Sequence, residues 1–371
     1  MAHSDQDILL IVHLLSIAIT RKSSSMSSTQ KALIVTEVGK PVTLVSDWPI
    51  PEPGANQVQV KVTVAGINPH DQKTRDMGLF FAKGHITILT HDVVGKVTKL
   101  GQGVTDIAVG DRIVYQPSVA PGSSQNGLQE YTTADLGSFA KIPDSITDDQ
   151  AATLPTNIIA PLVALFDSLQ IPAPWSPAAK KFDYASATLL VVGGGSNCGR
   201  FGVQLAKLAG IGTIVAVGGN EAELKSYGAT HVIDRHGGYE TVLARIRGVV
   251  GDDLIYAYDA INPPDGQLLG LNALSSHKKG ALARLIPRLP IDESKVLGKK
   301  AGFDVRDVFG VSSQHPELAG AFWSRVPGYL ESGQIKPLAY VVKNGLSSSN
   351  VNEVLDAYKD GKAVTKTHIH L

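Results

Sequence analysis

A glycine-rich turn between an apolar run and a helix-like segment constrains this chain more than any other feature. Residues 187–192 are typical of a strand buried on both faces, and residues 200–207 continue directly as a helix. Between them stands Gly-Gly-Gly-Ser-Asn-Cys-Gly, residues 193–199. Glycines at such a junction let the backbone approach a pyrophosphate, whose charge meets the free amides at the start of the helix. The turn therefore predicts a dinucleotide site.

The glycine spacing of this turn leaves two frames open. After Gly193 and Gly195, Cys198 stands where a third glycine is expected. A frame that starts at Gly194 ends correctly on Gly199. A turn that serves only the packing of helix on sheet is the alternative. Cys198 is interpreted as a small apolar residue, because no histidine lies near it in the sequence.

Strand-like and helical segments alternate after the turn, with strands at 213–217, 231–234 and 254–261 and helices at 198–209, 221–227 and 239–249. This alternation predicts a doubly wound parallel sheet with helices on both faces, the α/β architecture called a Rossmann domain. Residues 32–141 instead contain short strand-like runs separated by Gly and Pro, and apolar and polar residues alternate strictly at 58–64. This pattern predicts a β barrel or sandwich. After residue 337 we expect a strand at 339–342, a helix at 349–360 and a closing strand at 366–371.

The end of the strand at 213–217 bears on which dinucleotide binds. A carboxylate at that strand tip marks NAD, but this chain has Gly218, Gly219 and Asn220 there. The two glycines leave room for a 2′-phosphate, and Arg235 follows the next strand. Glu221 is the contrary observation. We predict NADP(H) over NAD(H).

Composition excludes several classes of protein. The chain has 371 residues, which favours two domains, and its 34 Lys and Arg balance 34 Asp and Glu. A chain without net charge has no overall positive electrostatic field that would attract a phosphate backbone, so we expect no nucleic-acid partner. A single cysteine excludes an internal disulfide and any zinc site built mainly of thiolates.

The amino-terminal segment holds the longest apolar run, residues 8–19. Twelve residues are too few to span a bilayer, and the acidic residues before the run do not suit a secretory signal. We expect residues 1–30 to be a disordered leader, and we expect a cytoplasmic protein with no membrane association.

Four phrases in a fixed order resemble the medium-chain dehydrogenase/reductase superfamily. They are Gly-Ile-Asn-Pro-His-Asp at 66–71, the stretch 93–113 that ends in Val-Gly-Asp-Arg-Ile, Ala-Ala-Thr-Leu-Pro at 151–155, and the glycine turn with its helix. The resemblance implies a GroES-like catalytic β-barrel domain at 31–160, completed by 336–371, and a Rossmann domain at 161–335.

Within that superfamily the chain is most similar to the zinc-independent quinone oxidoreductases and enoyl reductases, above all to fungal trans-acting enoyl reductases. Zinc-containing relatives have an early cysteine and a Gly-His-Glu phrase, where this chain has Asn68 and then Thr90, His91 and Asp92. We therefore expect no metal. Enoyl reductases of the mitochondrial type also have a donor tyrosine where this chain has Leu-Phe-Phe at 79–81.

The resemblance also implies roles for individual residues. Around the nicotinamide and its ribose it places the catalytic candidates Lys73, Asn68 and Asp71, with Thr156 at the carboxamide. For the rest of the cofactor it implies Gly194, Gly195, Ser196 and Asn197 at the pyrophosphate, Gly219, Asn220 and Arg235 at the adenosine phosphate, and Asp259 and Ile261 near the ribose. Two roles stay open for Lys73: it stabilises enolate charge, or it only contacts the ribose.

These observations predict an NADPH-dependent oxidoreductase that reduces an activated C=C bond by hydride transfer. The alternatives are an NADPH:quinone oxidoreductase and a dinucleotide-binding protein without turnover. The expected partners are a small enone, enoyl or quinone substrate and a polyketide synthase carrier domain. Either a monomer or a homodimer fits the sequence.

Removal of residues 1–25 should leave the melting temperature and NADPH affinity unchanged, because the first recognisable strand begins only at Lys31. Thermal unfolding and a fluorescence titration of the truncated chain check this. A large drop in melting temperature would show that the run at 8–19 packs on the core.

Overall fold

The computed structural model describes residues 28–81, 85–120, 122–261, 264–285 and 290–371. Most of the expected leader, residues 1–27, lies outside the described residues. Thr29 and Gln30, which we assigned to the leader, already belong to the first strand.

Ten strands build the β half of the molecule. A seven-stranded sheet has the order β15-β16-β3-β5-β6-β8 with β7 paired to β3, and a three-stranded sheet has the order β2-β1-β4. Their bounds are β1 Thr29–Val35, β2 Thr43–Pro49, β3 Gln57–Ile67, β4 Thr87–Ile88, β5 Asp92–Leu100, β6 Arg112–Tyr115, β7 Tyr131–Asp135, β8 Phe139–Lys141, β15 Tyr340–Asn344 and β16 Lys366–His370.

The last strand of the chain, β16, returns to the middle of this sheet. It pairs antiparallel with β3, where Thr367 lies opposite Ile67 and Ile369 opposite Ala65. β3 also pairs with β5 and brings Gly66 opposite Asp92. Residues from the two ends of the chain thus meet at one point of the sheet.

The second half is a six-stranded parallel sheet in the order β11-β10-β9-β12-β13-β14. Its strands are β9 Thr188–Val192, β10 Thr213–Val217, β11 His231–Ile233, β12 Tyr256–Asp259, β13 Gly280–Leu285 and β14 Phe303–Val308. The predicted fold class is confirmed. β9 lies where the strand order reverses, so its carboxyl end opens into the crevice that binds ligands in such sheets.

The helices are α1 Pro69–Met77, α2 Asp148–Ala152, α3 Pro155–Val163, α4 Asn197–Ala209, α5 Glu221–Tyr227, α6 Tyr239–Val250, α7 Pro264–Ala273, α8 Pro316–Trp323, α9 Val326–Glu331 and α10 Ser348–Lys359. Thr147 caps α2, since its Oγ1 accepts the Gln150 amide at 3.1 Å. Asp148, the first residue of α2, accepts from Arg112 Nε at 2.8 Å.

Helix α3 joins the two halves of the fold. Its residues Ile158, Ile159 and Leu162 are fully buried in one core that also contains Val94 of β5 and Phe201 of α4. Within the described residues, the helical stretch Asp148–Ser168 is apolar and long enough to cross a membrane, but 78% of its most apolar window is buried inside the fold. The stretch therefore has the character of a core helix. The division of the chain near residues 160 and 335 stays a prediction.

Gly199 and Gly248 form a matched pair of helical glycines for a stability test. A Cβ on Gly199 would lie 2.2 Å from the Gly193 carbonyl oxygen, whereas a Cβ on Gly248 meets nothing within 4 Å. We expect Gly199→Ala to lower the free energy of unfolding by about 1–3 kcal/mol. Gly248→Ala should raise it by roughly 0.5–1 kcal/mol, because alanine is the better helix former. Urea unfolding measures both, and equal effects would contradict the close packing of the turn.

Candidate active site

A cleft of about 1020 Å³ opens at the carboxyl ends of β9 and β10. Of the residues predicted to hold a dinucleotide, the structure brings Gly195, Ser196, Gly219, Arg235 and Ile261 into its lining. Helix α4 begins at this cleft with Ser196 as its N-cap, whose Oγ accepts the Gly199 amide at 3.0 Å. The start of a helix with unpaired amides is a site for an anionic group.

The two glycine turns that border the cleft are packed against each other. A Cβ on Gly195 would lie 2.8 Å from Gly219 Cα, and one on Gly194 would lie 2.9 Å from the Gly218 carbonyl oxygen. Gly219 has a φ of +100°, which favours glycine. We expected Gly194 and Gly195 at the pyrophosphate and Gly219 at the adenosine phosphate, with the packing of helix on sheet as the alternative role of the first turn. The structure shows that the contact between the two turns also requires glycine at these positions.

Three predicted cofactor residues have other engagements. Asn197 Oδ1 accepts from Arg200 Nη1 at 3.4 Å, and Asn220 Oδ1 caps α5 by accepting the Glu223 amide at 2.9 Å. Asp259 is fully buried and accepts the Ile261 amide at 3.0 Å. Asp259 therefore lies beneath the strand end, and Ile261 is the residue that reaches the cleft.

The adenosine end of the cleft carries both a cation and an anion. Arg235 is exposed and its side chain lies over Gly218, where a Cβ would meet Arg235 Cδ at 3.3 Å. Glu221, the contrary observation from the sequence, is ion-paired with Lys225 at 2.7 Å. Lys225 offsets part of the acidic charge at the strand tip.

A smaller cavity of about 130 Å³ lies between the two halves of the fold. Its lining includes His70, Lys73, Phe80, His91, Thr156 and Phe309. Lys73 and Thr156 thus line the same cavity, and their contacts with the nicotinamide stay predictions. Asn68 and Asp71 do not line this cavity, and both are buried. Their roles beside the nicotinamide stay predictions.

Asp92 is the centre of the buried network behind the cavity. Its Oδ2 accepts from the Lys366 ammonium and from Asn68 Nδ2 at 2.7 Å, and its Oδ1 accepts the Thr156 amide at 2.6 Å. Burial raises the pKa of Asp92, but Lys366 together with the hydrogen bonds from the Thr156 amide and Asn68 holds that pKa below the ordinary value. The charged carboxylate therefore fixes the position of Thr156 and, through Asn68, the start of α1.

Asp71 fixes the same helix from its first turn. Its two oxygens accept the amides of Asn68 at 2.7 Å and Thr90 at 2.9 Å. Burial raises the pKa of Asp71 to about 6, although both amides favour the charged form. Thr90 has a φ of +74°, which is rare for a β-branched residue, and it leads directly into His91. The loop before β5 is thus held in a strained conformation by Asp71.

Two imidazoles meet at the cavity wall. His70 Nε2 and His91 Nδ1 are 3.1 Å apart, and His91 Nε2 lies 3.3 Å from Asn126 Nδ2. Burial lowers the pKa of both histidines to about 4, so both rings are neutral near pH 7. The pair is a hydrogen-bonded chain of neutral rings.

Among the described residues, His70, Asp71 and His91 form one group whose potential metal ligand atoms lie within 4.8 Å of one another. A metal ion there would have to displace the bond between the imidazoles and the two amide bonds to Asp71. Cys198 offers no thiolate, since burial raises its pKa to about 12. The absence of a metal stays a prediction.

Sequence reasoning missed the residues that hold the site together. Lys366 lies in a short final strand, and nothing near it in the sequence indicates that its ammonium is buried. Gly66 could have indicated that another group packs closely on β3 at this position, because a Cβ there would lie 2.8 Å from Lys366 Nζ. Gln116 was missed as well. It spans the two halves, donating to the Gly310 carbonyl at 3.0 Å and accepting the Ser312 amide at 2.7 Å.

Comparison with known proteins shows to which family this chain belongs. Residues 54–144 match the model of the alcohol dehydrogenase GroES-like domain. The chain is 30% identical to the dehydrogenase orsE of Emericella nidulans over 93% of this chain and all of that one. It is 29% identical to the trans-enoyl reductase tndF of Aspergillus flavipes, with the same coverage. A mycobacterial protein solved in complex with NADPH shares the fold, with a TM-score of 0.69, 22% identity and coverage of 92% and 100%.

Lys366→Met tests the buried ion pair, because it leaves Asp92 without its cation. We expect the free energy of unfolding to fall by about 3–5 kcal/mol near neutral pH. In the wild type, the low pKa of Asp92 keeps its contribution intact until the pH falls below the ordinary carboxyl range. In the variant that pKa rises, so stability should increase as the pH falls from about 8 to about 5.

Urea unfolding over that pH range measures the effect. The double variant Asp92→Asn with Lys366→Met is the control, because it removes both charges. Its free energy of unfolding should fall less than that of Lys366→Met and should not gain the added pH dependence. A Lys366→Met variant whose unfolding free energy parallels the wild type at every pH would contradict the assignment.

Proposed function

We propose that this chain, which belongs to the medium-chain dehydrogenase/reductase superfamily of oxidoreductases, reduces the activated C=C bond of an enone or enoyl substrate with NADPH and without zinc. One observation carries the proposal. Lys73 and Thr156 both line a largely apolar cavity between the parallel sheet and the β half. A cation in an apolar site is placed to stabilise oxygen charge that develops on a carbonyl group.

The described residues fit a nicotinamide dinucleotide. The glycine turns at Gly195 and Gly219 leave no space for side chains, and Ser196 begins a helix at the same edge. The Thr156 Oγ1 is buried and has no hydrogen-bond partner among the described residues, which suits a contact with the carboxamide. When bound, the nicotinamide supplies a hydride to the electron-poor β-carbon of the substrate.

NADP(H) is the proposed form of the cofactor. Arg235 supplies the cation that a 2′-phosphate needs, and Lys225 partly neutralises Glu221 at the neighbouring position. The related fold solved with NADPH is consistent with this choice. The support is electrostatic: an exposed guanidinium beside the strand tip favours the extra phosphate over the plain ribose of NAD.

Lys73 is the proposed stabiliser of the enolate. Its side chain is partly buried, it lines the cavity, and it makes no hydrogen bond or ion pair with a described residue. An ammonium group that is already committed to a carboxylate would have little charge left for the substrate. Lys366 is such a group, which separates the structural lysine from the proposed catalytic one.

Relatives that are named trans-enoyl reductases favour an enoyl substrate over a quinone. The cavity walls agree with a flat apolar acyl segment, because they include Leu79, Phe80, Val308 and Phe309. A polyketide synthase carrier domain as partner, a cytoplasmic location and the choice between monomer and homodimer stay predictions from the resemblance.

Steady-state loss of NADPH absorbance tests the function with a 2-enoyl thioester, an enone, a quinone and no acceptor. We expect turnover with the thioester or the enone. Lys73→Met should lower kcat by roughly 10²-fold and leave the NADPH dissociation constant within about twofold, as for a contact made mainly in the transition state. Lys40→Met, at an exposed position, is the matched control.

Three other outcomes have distinct meanings. Turnover with the quinone alone would show that the protein is a quinone oxidoreductase and not an enoyl reductase. NADPH binding without turnover would favour the non-catalytic alternative. If Lys73→Met weakened only NADPH binding, Lys73 would be a ribose contact.

Arg235→Ala tests the cofactor preference. Loss of a phosphate contact should raise the dissociation constant of NADPH about tenfold or more, which corresponds to ~1.4 kcal/mol, and leave that of NADH unchanged. Fluorescence titration measures both. Arg306→Ala, on the exposed edge strand β14, is the control. Tighter binding of NADH than NADPH by the wild type would overturn the choice and make Glu221 the ribose ligand.

A further inference from the structure

Two histidines that hydride transfer does not use meet at the wall of the 130 Å³ cavity. His70 comes from the first turn of α1 and His91 from the strained loop before β5. The His70 side chain is 19% exposed, whereas His91 is 5% exposed. His70 is therefore the outer member of the pair, and His91 stands behind it.

The hydrogen bonds assign a direction to this pair. Asn126 Nδ2 is a donor, so His91 Nε2, at 3.3 Å, accepts. A neutral His91 then carries its proton on Nδ1 and donates it to His70 Nε2 at 3.1 Å. His70 in turn carries its own proton on Nδ1, which leaves that N–H as the donor at the end of the chain.

An aromatic ring packs on this pair, and a second cleft borders it. The Phe80 ring lies edge-on to both imidazoles, with centroids 6.2 Å from His70 and 5.9 Å from His91, and it also contacts Phe309 across the cavity. His91 lines a second small cleft on its far side, together with Ser118, Ser123 and Asn126. Both rings thus line the reaction cavity, and His91 alone of the two also lines the second cleft.

We propose that His70 is the catalytic proton donor to the α-carbon of the substrate, and that His91 is a positioning residue that resupplies its proton from the second cleft. The inference rests on the proposed function, since only reduction of a C=C bond needs a proton at that carbon. It assigns a donor to a chain that has Leu79-Phe80-Phe81 where a tyrosine was expected.

The bonds and protons balance without a further reactant. The hydride forms the new C–H bond at the β-carbon, and the π electron pair moves toward the α-carbon and the carbonyl oxygen. The α-carbon then takes the proton from His70 Nδ1, while His91 Nδ1–H passes to His70 Nε2. A water in the second cleft, in place of the Asn126 amide, gives a proton to His91 Nε2 and leaves as hydroxide, which solvent neutralises. Proton exchange with solvent then restores the Nδ1–H form of both rings before the next turnover, so the net proton comes from solvent.

Reduction of an α-methyl enoyl thioester in D₂O tests the proposal through the configuration of the product. In the wild type, deuterium should enter one face of the α-carbon. His70→Gln should lower kcat by roughly 10²-fold, give deuterium on both faces, and keep the NADPH dissociation constant within about twofold. The configuration is read only from protein that turns over, so partial misfolding of the variant does not obscure it.

His91→Gln approaches the relay from its other end. It should keep the single-face deuteration, because His70 remains in place, and it should raise the solvent isotope effect on kcat as reprotonation of His70 becomes slow. His231→Gln, at an exposed position on β11, is the control and should match the wild type in all readouts.

Wild-type configuration and rate in His70→Gln would overturn His70 as the donor, while the reductase function itself would stand. An unchanged solvent isotope effect in His91→Gln would overturn the relay. Absence of any reduction of either the thioester or the enone by the wild type would instead contradict the proposed function, and the donor role with it.

Discussion

The ion pair between Asp92 and Lys366 is the interaction on which the rest of this structure depends. Both residues are essentially excluded from solvent, and they are 274 positions apart in the chain. A buried charge without its partner is strongly destabilising, so the final strand must dock on β3 before the carboxylate is tolerated. The carboxylate in turn binds the Thr156 amide and the Asn68 side chain. One charged pair therefore aligns the first helix, the joining helix α3 and the carboxyl end of the chain.

This network also occupies the positions of this chain that correspond, by the resemblance, to the metal ligands of zinc-containing relatives. Asn68 stands in place of a cysteine, and its amide bonds to Asp92 and Lys366 fill the space with hydrogen bonds between protein groups. Asp71 and Thr90 hold His91 against His70 rather than in an isolated ligand position. The cavity that results is apolar on one side and lined by Lys73 and two neutral imidazoles on the other. Such an arrangement suits a reaction in which charge develops on a carbonyl oxygen and is then quenched by a proton.

Local sequence patterns predicted the elements that depend on local forces. The glycine turn, the alternating strand β3 and the start of α5 at Glu221 all follow from short-range sterics and burial. Strands β13 and β14 were not predicted, because no punctuation comparable to the glycine turn precedes them. Long-range contacts could not be predicted from local sequence patterns. Nothing near Lys366 in the sequence distinguishes it from an exposed lysine, and the contact between Gly195 and Gly219 forms only when the fold brings the two turns together. The buried hydrogen bonds of Asn68 and Asp71 were not predicted for the same reason, since Asp92 and Thr90 are distant from them in the sequence.

Deuterium tracing in metal-depleted protein tests most directly whether this cavity supports hydride transfer to a C=C bond without zinc. The protein is treated with chelator, its metal content is measured, and it is incubated with each of the two 4-deuterated epimers of NADPH and a 2-enoyl thioester. One epimer should deliver its deuterium to the β-carbon, at the rate of the untreated protein and with far less than one zinc per chain. Label transfer that disappears on depletion and returns with one equivalent of zinc, or label found in neither product, would contradict this account.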